Sequence, residues 1–458
     1  MRVALAYPFP KQEPSQCNPP LALLYLATGL RDHGTEVAVF DVDGFAGGPA
    51  EMWDRLAEFR PGLVGLPSFS EALPRLRDAV REVRSRLPRA SLVVGGPHAT
   101  ACPDETLDWY PEVDWLLRGE ADYTLLDLVD QLDRNVAHPT VPGLCYRGEQ
   151  GHVANPVAES PRDLDAIPIP DRMLLWENYR KGTYWKMGRR TPADMVITSR
   201  GCSFNCNFCF KMERGYRVRS ATNVVQELVQ LASLGITTVD FEDDLFTGQK
   251  ARCLEICRLI GEAGLKLDLK VRSHVRRVDE EILHAMRGVG VKAVVLGAES
   301  GSSAVLKAMS KNATAEENYE AVRLVKKAGM MCYVDMFLGY PGETEESIAE
   351  TKRFLLKARP TAVNFGVLVP YPRTTVYAEA KKQGTLINDW TRDGKRPFVR
   401  LPWTSDPGVL WDHVRDIRRS FYTHPAVALS ILRHKGLPRD FHQWHGAYEF
   451  AKRVVLGH

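Results

Sequence analysis

Three cysteines, Cys202, Cys206 and Cys209, lie within a stretch of eight residues. Thiolates are the usual protein ligands of iron–sulfur clusters, and four of them normally hold a [4Fe–4S] cluster. With only three thiolates, one iron keeps an open position that a chelating molecule can occupy. A zinc site is the alternative, but it would need a fourth thiolate or imidazole, and none lies near these cysteines in the sequence. The spacing Cys-x3-Cys-x2-Cys therefore favours a [4Fe–4S] cluster with an open iron.

The residues around these cysteines alternate between strand-like and helix-like patterns. Counting a strand predicted at 195–199, six strand–helix units can be read up to residue 384, which predicts a partial (β/α)6 barrel open on one side. Short polar segments follow the predicted strands at 242–244, 272–274, 297–301, 339–344 and 370–374. Because such barrels carry their chemistry at the carboxyl ends of the strands, we expect these segments to surround the cysteine loop.

This half of the chain, residues 195–384, resembles radical S-adenosylmethionine (SAM) enzymes. The cysteine loop, the acidic segment 242–244, Gly-x-Glu-Ser-Gly at 297–301 and Gly-x-Pro-Gly-Glu-Thr at 339–344 occur in the order typical of that family. The resemblance implies that SAM binds the open iron through its amino and carboxylate groups. One electron from the cluster then cleaves SAM to methionine and a 5′-deoxyadenosyl radical, which abstracts hydrogen from a C–H bond. An external one-electron donor, such as a flavodoxin-like protein, is an implied partner.

The resemblance also implies which residues contact the cofactors. The three cysteines are the expected cluster ligands. Phe208 is expected to pack against the adenine of SAM, and Asp243 to accept from its ammonium group. Glu299 and Ser300 are expected at the ribose or the carboxylate. The alternative for Asp243, Glu299 and Ser300 is a turn or helix-capping role.

Four further residues are candidates for a catalytic role. Tyr216 lies seven residues after Cys209 and could donate a proton or a hydrogen atom, with packing as the alternative. Glu242 or Asp244 is expected to face the substrate. His274 is expected to contact SAM or to act as an acid–base group, with a structural role as the alternative. Other polar residues in or after the strands are expected to line the substrate cavity: Asp335, Tyr340, Asn364 and Tyr371.

Residues 1–135 alternate between short apolar strands and amphipathic helices, which predicts an α/β domain with a doubly wound, Rossmann-like parallel sheet. The stretches 18–27 and 95–100 resemble the cobalamin-binding-type (B12-binding) domains that precede radical SAM enzymes. The chain lacks the Asp-x-His-x-x-Gly pattern that supplies a cobalt-ligating histidine in other cobalamin proteins. His98 is expected to be a loop residue and not a ligand. Both interpretations of the domain, cobalamin-binding or empty, stay open.

The remaining segments are expected to connect and close these domains. Residues 136–191 carry hairpin signals and a proline-rich connector, which excludes a helix interior or a central strand. Three aromatic residues of this linker are expected to pack onto the following domain: Tyr179, Tyr184 and Trp185. The barrel is expected at 192–384, and residues 385–458 are predicted to form a mostly helical segment that closes its open side.

The composition limits the classes of function. The chain has 458 residues with 60 basic and 57 acidic side chains, a formal net charge of +3. No polybasic character and no apolar run long enough for a bilayer occur in the sequence, so we expect no nucleic-acid or membrane partner and a cytoplasmic location. The odd count of nine cysteines argues against a disulfide framework. Cys253 and Cys257, one helical turn apart, are expected to pack in the core.

The fate of the radical is predicted from resemblance over the whole chain. The sequence looks like the radical SAM diol dehydratases of aminoglycoside (apramycin) biosynthesis. This implies hydrogen abstraction from an aminoglycoside sugar, 1,2-diol dehydration and a partner NAD(P)H-dependent reductase that acts on the product. The acidic strand ends would suit such a cationic small-molecule substrate. The alternative is a cobalamin-dependent radical SAM C-methyltransferase, for which the N-terminal domain argues. A non-catalytic cobalamin- or SAM-binding sensor is a third interpretation, which the three cysteines argue against.

Overall fold

The computed structural model describes residues 1–10, 17–186, 189–212, 215–391 and 395–435. The chain divides into two compact units. Among the described residues, the first comprises 1–10, 17–184, 211–212, 389–391 and 395–396. The second comprises 185–186, 189–210, 215–388 and 397–435. None of the helices in the described ranges combines the length and the apolar character that crossing a bilayer requires.

The first unit is built on a sheet of parallel strands extended by a hairpin. Its elements are β1 (Arg2–Tyr7), α1 (Leu21–Asp32), β2 (Glu36–Asp41), α2 (Gly48–Phe59), β3 (Leu63–Pro67), α3 (Leu73–Arg86), β4 (Ser91–Gly95), α4 (Pro97–Ala101), α5 (Pro103–Trp109), β5 (Trp115–Leu117), α6 (Thr124–Asp133), β6 (Leu144–Gly148), β7 (Gly151–Ala154) and α7 (Trp176–Arg180). Over the described residues the strands lie in the order β2-β1-β3-β4-β5-β6-β7. The predicted doubly wound, Rossmann-like sheet is confirmed.

The strands of this sheet are apolar on both faces because helices cover both. One cluster of buried side chains joins the sheet to α2, α3 and α5, and a second joins it to α1 and α6. Along β1, Ala4 belongs to the first cluster, whereas Val3 and Leu5 belong to the second. Burial on two faces is typical of parallel sheets. Ligand binding is then left to the loops at the carboxyl ends of the strands.

The hairpin of the predicted linker belongs to the first sheet. Strand β6 pairs antiparallel with β5, and β7 pairs antiparallel with β6. The sheet therefore continues to Ala154, because the edge of β5 offers backbone groups with which β6 can pair. The first compact unit therefore continues beyond residue 135, as far as Tyr184.

The tyrosines of the predicted linker lie in the core of the first unit. The Tyr184 hydroxyl donates to Asp41 Oδ2 at 2.7 Å and accepts from Asn178 Nδ2 at 2.9 Å. Tyr179 packs edge-on against Tyr184, with 4.8 Å between ring centroids. Both rings thus pack within the first unit, where the buried carboxylate at the end of β2 needs a hydrogen-bond donor, and their packing onto the following domain stays a prediction. The side chain of Trp185 lies outside the described part of the structure.

The second unit is a half-barrel. Its elements are β8 (Trp185–Lys186), β9 (Arg189–Val196), β10 (Ser199–Gly201), β11 (Tyr216–Val218), α8 (Ala221–Ser233), β12 (Thr238–Phe241), α9 (Lys250–Glu262), β13 (Asp268–His274), α10 (Glu280–Gly288), β14 (Val291–Glu299), α11 (Ser303–Ala308), α12 (Ala315–Lys327), β15 (Met331–Leu338), α13 (Glu345–Ala358), β16 (Ala362–Val367), α14 (Thr375–Lys382), β17 (Leu386–Ile387), β18 (Phe398–Val399), α15 (Pro407–Tyr422) and α16 (Pro425–Lys435). In the described part of the chain its large sheet has the order β16-β15-β14-β13-β12-β9-β8, and β9 and β12–β16 run parallel. The predicted six-stranded partial barrel is confirmed.

The strand before the cysteines is placed differently from the prediction. β9 ends at Val196, and Ser199–Gly201 forms the separate strand β10, which pairs with β11. In the C-terminal segment, α15 packs against β16, where the backbone N–H of Val363 donates to the Tyr422 hydroxyl at 3.1 Å. Residues 436–458 of the predicted closing segment lie outside the described residues.

The two faces of the large sheet differ in character. Along β15, Val334, Met336 and Leu338 are buried, whereas Asp335 and Phe337, which alternate with them, are half-buried. This period of two gives one apolar face and one partly polar face. We call the face that carries Asp335 and Phe337 the inner face.

Candidate iron–sulfur and SAM site

The cysteine loop begins at a tight backbone turn. Gly201, directly before Cys202, pairs with Tyr216 across the small β10–β11 sheet and has a φ of +79°. A Cβ atom at residue 201 would lie 2.2 Å from the carbonyl oxygen of Gly215. Glycine alone fits both the dihedral angle and the contact, which explains the glycine before the first cysteine.

Asp243 holds the chain just before this loop. Its Oδ1 accepts hydrogen bonds from the backbone N–H groups of Thr198 and Ser199, both at 2.6 Å, and its Oδ2 accepts one from the Thr198 hydroxyl at 2.6 Å. Burial raises the pKa of Asp243, while these hydrogen bonds and Arg252 oppose the rise. These three hydrogen bonds let Asp243 position residues 198–199 ahead of the loop. The predicted contact of Asp243 with the SAM ammonium stays a prediction.

Two buried arginines complete the support of the loop. Arg252 donates through Nη2 to the carbonyl oxygen of Thr198 and through Nε to that of Arg219, both at 2.7 Å. Arg219 in turn donates to the carbonyl oxygen of Ile197 at 2.9 Å and pairs with the buried Glu227. Hydrogen bonds from ionised donors are the stronger kind. The sequence analysis missed both arginines, because no local pattern links them to residues 197–198.

The three cysteines form a donor set that suits a [4Fe–4S] cluster. Cys206 is buried, Cys202 is half-buried and Cys209 is exposed. The sulfur of Cys206 is the hydrogen-bond partner of Cys209 and raises its pKa. Two neighbouring thiolates would repel each other. Iron cations offset this repulsion, and a metal ion deprotonates the thiol that it binds. Each thiolate of a [4Fe–4S] cluster binds its own iron, so the three sulfurs need not converge on a single ion. Among the described residues, no three Cys, His, Asp or Glu side chains converge in that way.

The residues between the second and third cysteines dock the loop on the barrel. The Phe208 ring meets Phe337 of the inner face edge-on, with 4.9 Å between centroids. The backbone N–H of Asn207 donates to the carbonyl oxygen of Met309 at 3.0 Å. Phe208 is half-buried, and its contact with adenine stays a prediction.

Glu299 forms a buried ion pair that the sequence analysis missed. Its Oε1 lies 2.9 Å from Nζ of Lys311, and both side chains are buried. The Lys311 ammonium is close enough to Cys206 and Cys209 to interact with their charges. Glu299 has a φ of +61°, which is uncommon outside glycine. Lys311 follows α11 in a polar turn that resembles any surface turn in sequence, so no local signal could have revealed it.

Ser300 and Tyr216 make internal hydrogen bonds. Ser300 Oγ lies 3.2 Å from Thr351 Oγ1 and accepts from the backbone N–H of Ser302 at 3.1 Å. The Tyr216 hydroxyl donates to the carbonyl oxygen of Leu245 at 2.8 Å, and burial raises its pKa. The SAM contact of Ser300 and the donor role of Tyr216 stay predictions.

Both ring nitrogens of His274 bond to the backbone. Nε2 lies 3.0 Å from the carbonyl oxygen of Lys311, and Nδ1 accepts from the N–H of Arg276 at 3.2 Å. The ring stacks on Phe204 of the cysteine loop. Burial, with help from Lys311, lowers the pKa of His274 to about 4. Both ring nitrogens are engaged by the backbone, which is what the structural alternative expects. The SAM contact or acid–base role of His274 stays a prediction.

The acidic residues near the carboxyl end of β12 are largely compensated. Glu242 Oε2 lies 2.9 Å from Nη2 of Arg272, and Asp240 pairs with Lys270 on the same two strands. Asp244 is exposed. Segment 242–244 therefore presents less uncompensated negative charge than its sequence suggests, which weakens its value as evidence for a cationic substrate.

The first unit carries its own candidate site at the carboxyl edge of the sheet. Gly96 after β4 has a φ of +98°, and a Cβ there would lie 3.0 Å from the carbonyl oxygen of Ser68 after β3. The two loops thus approach backbone to backbone. Tyr7, Phe9 and Phe69 form an aromatic cluster at this edge, with Phe69 37% exposed. The apolar rings at this edge of the sheet suit the face of a large planar cofactor such as cobalamin, and the close packing of the two loops fixes the shape of the edge.

His98 lies inside the first unit, at the start of α4 and not in a loop. Its Nδ1 lies 2.9 Å from Ser70 Oγ, and its ring stacks on Trp109 with 5.9 Å between centroids. The side chain is fully buried, and burial lowers its pKa to about 4. This environment gives His98 a packing role.

Two protein-family models match the chain. The model of the radical SAM superfamily matches residues 196–355, and that of the B12 binding domain matches residues 12–129. The two matches fall in the second and first units, respectively.

Three curated relatives align with most of the chain. An uncharacterized methyltransferase of Pyrococcus horikoshii is 30% identical over 453 residues, which cover 96% of this chain and 93% of the relative. The anaerobic magnesium-protoporphyrin IX monomethyl ester cyclase of Cereibacter sphaeroides is 27% identical, with coverages of 96% and 70%. The cytidylyl-2-hydroxyethylphosphonate methyltransferase of Streptomyces wedmorensis is 26% identical, with coverages of 87% and 84%.

Two solved structures share the fold. The radical SAM methyltransferase TsrM from Kitasatospora setae, with cobalamin and a [4Fe–4S] cluster bound, superimposes with a TM-score of 0.74 at 20% identity, covering 93% of this chain and 89% of TsrM. The cobalamin-dependent SAM radical enzyme OxsB gives a TM-score of 0.77 at 17% identity, covering 100% of this chain and 75% of OxsB.

The family follows from the relative that is 30% identical over almost its whole length, together with the two domain matches. Membership confirms the predicted [4Fe–4S] cluster and SAM as cofactors, and it makes cobalamin plausible. The chain belongs to the radical SAM superfamily, in the group whose members carry an N-terminal B12-binding domain.

Proposed function

We propose that this chain is a cobalamin-dependent radical SAM methyltransferase that acts on a carbon atom of a small molecule. The observation that carries the proposal is the pairing of a B12-binding domain with a radical SAM half-barrel in one chain. Relatives of the same architecture support it. Those from P. horikoshii and S. wedmorensis are named methyltransferases, and TsrM is a methyltransferase whose structure contains cobalamin.

The barrel unit would hold the cluster and SAM. We assign the three cysteines as cluster ligands, and Glu299 with Lys311 to the charged amino-acid end of SAM. The adenine would contact Phe208, as the resemblance implies. Bound in this way, the cluster and SAM supply a carbon radical when an external donor delivers one electron. Asp243, Arg252 and their partners keep the loop in position while this occurs.

The first unit would hold cobalamin at the carboxyl edge of its sheet. When bound, this cofactor supplies the methyl group. The loops at Ser68 and Gly96 pack closely against each other and would shape this edge, and the exposed Phe69 ring offers an apolar surface. We propose that this domain extends to Tyr184 and that the radical SAM domain begins at Trp185, in place of the boundaries predicted from sequence.

Dehydration of an aminoglycoside sugar has less support. The relatives described above are methyltransferases and a cyclase, and Glu242, on which the case for a cationic substrate partly rested, is paired with Arg272. A product reductase loses its rationale together with the dehydration. The external electron donor is still required, because the radical forms by one-electron reduction.

The cofactor content of the purified chain tests this proposal. After anaerobic expression with hydroxocobalamin and reconstitution with iron and sulfide, we expect about four irons and a near-stoichiometric corrinoid band in the visible spectrum. Phe69→Asp places a charge on the apolar surface and should lower the corrinoid content severalfold without changing the iron content. Val157→Asp alters another exposed apolar residue of the first unit and should change neither.

Methyl transfer itself is measured with SAM that carries a deuterated methyl group. We expect the label in a small-molecule product, accompanied by 5′-deoxyadenosine. A chain that retains no corrinoid, or a product formed without the labelled methyl group, would contradict the proposal and favour dehydration or cyclisation.

A further inference from the structure

The turn that follows β14 has a backbone conformation that needs support. Glu299, the last residue of the strand, has a φ of +61°, and the backbone N–H of Ser300 donates to the carbonyl oxygen of Ala298 at 2.7 Å. A residue other than glycine rarely adopts this left-handed region, because its Cβ atom then crowds the following carbonyl oxygen. Such conformations persist where the surrounding structure imposes them, and they cluster at functional sites. Contacts around the turn must therefore hold Glu299 in place.

The side chain of Glu299 lies over Gly297 in this conformation. A Cβ atom at residue 297 would lie 2.5 Å from Glu299 Oε1 and 2.8 Å from Nζ of Lys311. The ion pair thus occupies the space that any larger residue at 297 would fill. The charges of both partners act on the Cys209 thiol. The conformation of the turn therefore brings the Glu299 carboxylate close to the cysteine loop.

Asn318 of α12 bonds to the backbone on both sides of Glu299. Its Nδ2 donates to the carbonyl oxygen of Ala298 at 2.9 Å and to that of Ser300 at 3.0 Å. Between these two carbonyl groups the backbone can rotate only about the bonds of Glu299 and Ser300. The amide oxygen of Asn318 is buried and has no hydrogen-bond partner within the described ranges, which is costly. The residue therefore suits this fully buried position through its two N–H groups.

Thr351 of α13 holds the other end of the turn. Its Oγ1 accepts from the backbone N–H of Gly301 at 2.9 Å and lies 3.2 Å from Ser300 Oγ. A Cβ atom at residue 301 would lie 2.6 Å from the Cα atom of Thr351, so only glycine allows this close approach. Thr351 is fully buried. The turn is therefore held by Asn318 on one helix and by Thr351 on the next.

We propose that Asn318 and Thr351 are positioning residues for SAM. They hold Glu299 in the conformation that places its carboxylate beside Lys311, where the charged amino-acid end of SAM binds. Without them the turn relaxes to a backbone conformation that is ordinary for a residue with a Cβ atom, and the carboxylate leaves this place. The hydrogen bonds described for both side chains end in the turn, so the cluster assembles without them. The inference rests on the proposed function only in assigning Glu299 to SAM.

The affinity for SAM tests the proposal, measured by calorimetry on the reconstituted full chain without reductant. Asn318→Leu keeps a similar volume and removes both N–H donors, and Thr351→Val removes the hydroxyl acceptor. We expect Asn318→Leu to weaken SAM binding about tenfold, because a hydrogen-bonded contact with a charged group is lost. Thr351→Val should weaken it severalfold. The iron content should stay unchanged in both. Val322→Ala shortens another buried side chain of α12 and, as the control, should change neither quantity.

Glu299→Gln separates positioning from a general loss of structure. Alone it should also weaken SAM binding about tenfold. Adding Asn318→Leu to it should cause almost no further loss, because the carboxylate that Asn318 positions is gone. An equal loss from Asn318→Leu in both backgrounds would overturn the proposal, since Asn318 would then act independently of Glu299. Unchanged SAM binding in Thr351→Val, or in a folded Asn318→Leu, would overturn it as well.

The same measurements keep this inference apart from the proposed function. Unchanged SAM binding in Glu299→Gln would overturn the assignment of Glu299 to SAM, and the inference with it. SAM binding needs neither corrinoid nor a methyl acceptor. A chain that binds SAM as expected here but holds no corrinoid would therefore contradict the methyltransferase proposal alone.

Discussion

The imidazole of His274 lies flat against the phenyl ring of Phe204, with 3.7 Å between the ring centroids and 8° between their planes. Phe204 stands between Cys202 and Cys206 in the chain. Through Nε2 the same imidazole contacts the backbone of Lys311. His274 therefore connects the cysteine loop to Lys311, whose charge lies beside that loop. We regard His274 as a positioning residue.

His98 and His274, which are both buried, should make the fold less stable in acid. Their pKa values are lowered from 6.5 to about 4, so the unfolded chain takes up protons in this range that the folded chain does not. The stability they contribute is complete above pH 6.5 and is lost as the pH falls toward 4, by up to about 3 kcal/mol for each histidine. We expect the urea midpoint to fall over this range, and to fall less in His98→Asn and His274→Asn. Identical pH profiles of the urea midpoint for the variants and the unmodified chain would show that these histidines do not cause the acid sensitivity.

Glu343 should make the fold less stable as the pH rises, which is opposite to the effect of the two histidines. Burial raises its pKa to about 7, although the backbone N–H groups of Gly339 and Tyr340 oppose the rise. Its Oε1 is buried and has no hydrogen-bond partner among the described residues. The stability linked to this proton is complete below the ordinary value of 4.5 and is lost as the pH rises toward 7, by up to about 3 kcal/mol. Glu343→Gln should flatten the pH dependence of the urea midpoint in this window; an unaltered dependence would exclude Glu343 as its source.

Lys311→Met should destabilise the second unit. The variant leaves the Glu299 carboxylate buried without its partner, which typically costs about 3–5 kcal/mol. The double variant Lys311→Met, Glu299→Gln removes both charges and should recover most of that loss. Thermal unfolding of the apo chain measures the effect. If the double variant is no more stable than Lys311→Met, the ion pair is not what holds these side chains in place.

Asp243→Asn should loosen the start of the cysteine loop. An amide nitrogen cannot accept hydrogen bonds, so at least one of the N–H or O–H donors of Thr198 and Ser199 loses its partner, at about 1–3 kcal/mol. We expect less iron retained after gel filtration, but unchanged 5′-deoxyadenosine per cluster, because Asp243 positions the loop. Asp268→Asn alters a carboxylate at the start of β13 that lies 3.6 Å from Nζ of Lys292, and as the control it should leave the iron content unchanged. A large loss of activity per cluster would instead indicate that Asp243 contacts SAM.

The sequence predicted the features that depend on neighbouring residues. The spacing of the cysteines and the alternation of strands and helices are local, and they led to the correct fold and to the cluster and SAM as cofactors. Lys311, Arg252 and Arg219 were missed, because each reaches its partner through the fold and its own neighbourhood resembles an ordinary surface. His274 was given a chemical role from its place after a strand, which says nothing about how its two nitrogens are bonded.

The central claim is that three cysteines hold a cluster that cleaves SAM by one-electron reduction. The most direct measurement is the yield of 5′-deoxyadenosine from the anaerobically reconstituted chain with SAM and dithionite. We expect it from the unmodified chain and from Cys253→Ala, which alters a buried cysteine outside the loop, and we expect neither cluster nor 5′-deoxyadenosine from Cys206→Ala. Full activity in Cys206→Ala, or a complete cluster in the unmodified chain that leaves SAM intact, would contradict the account.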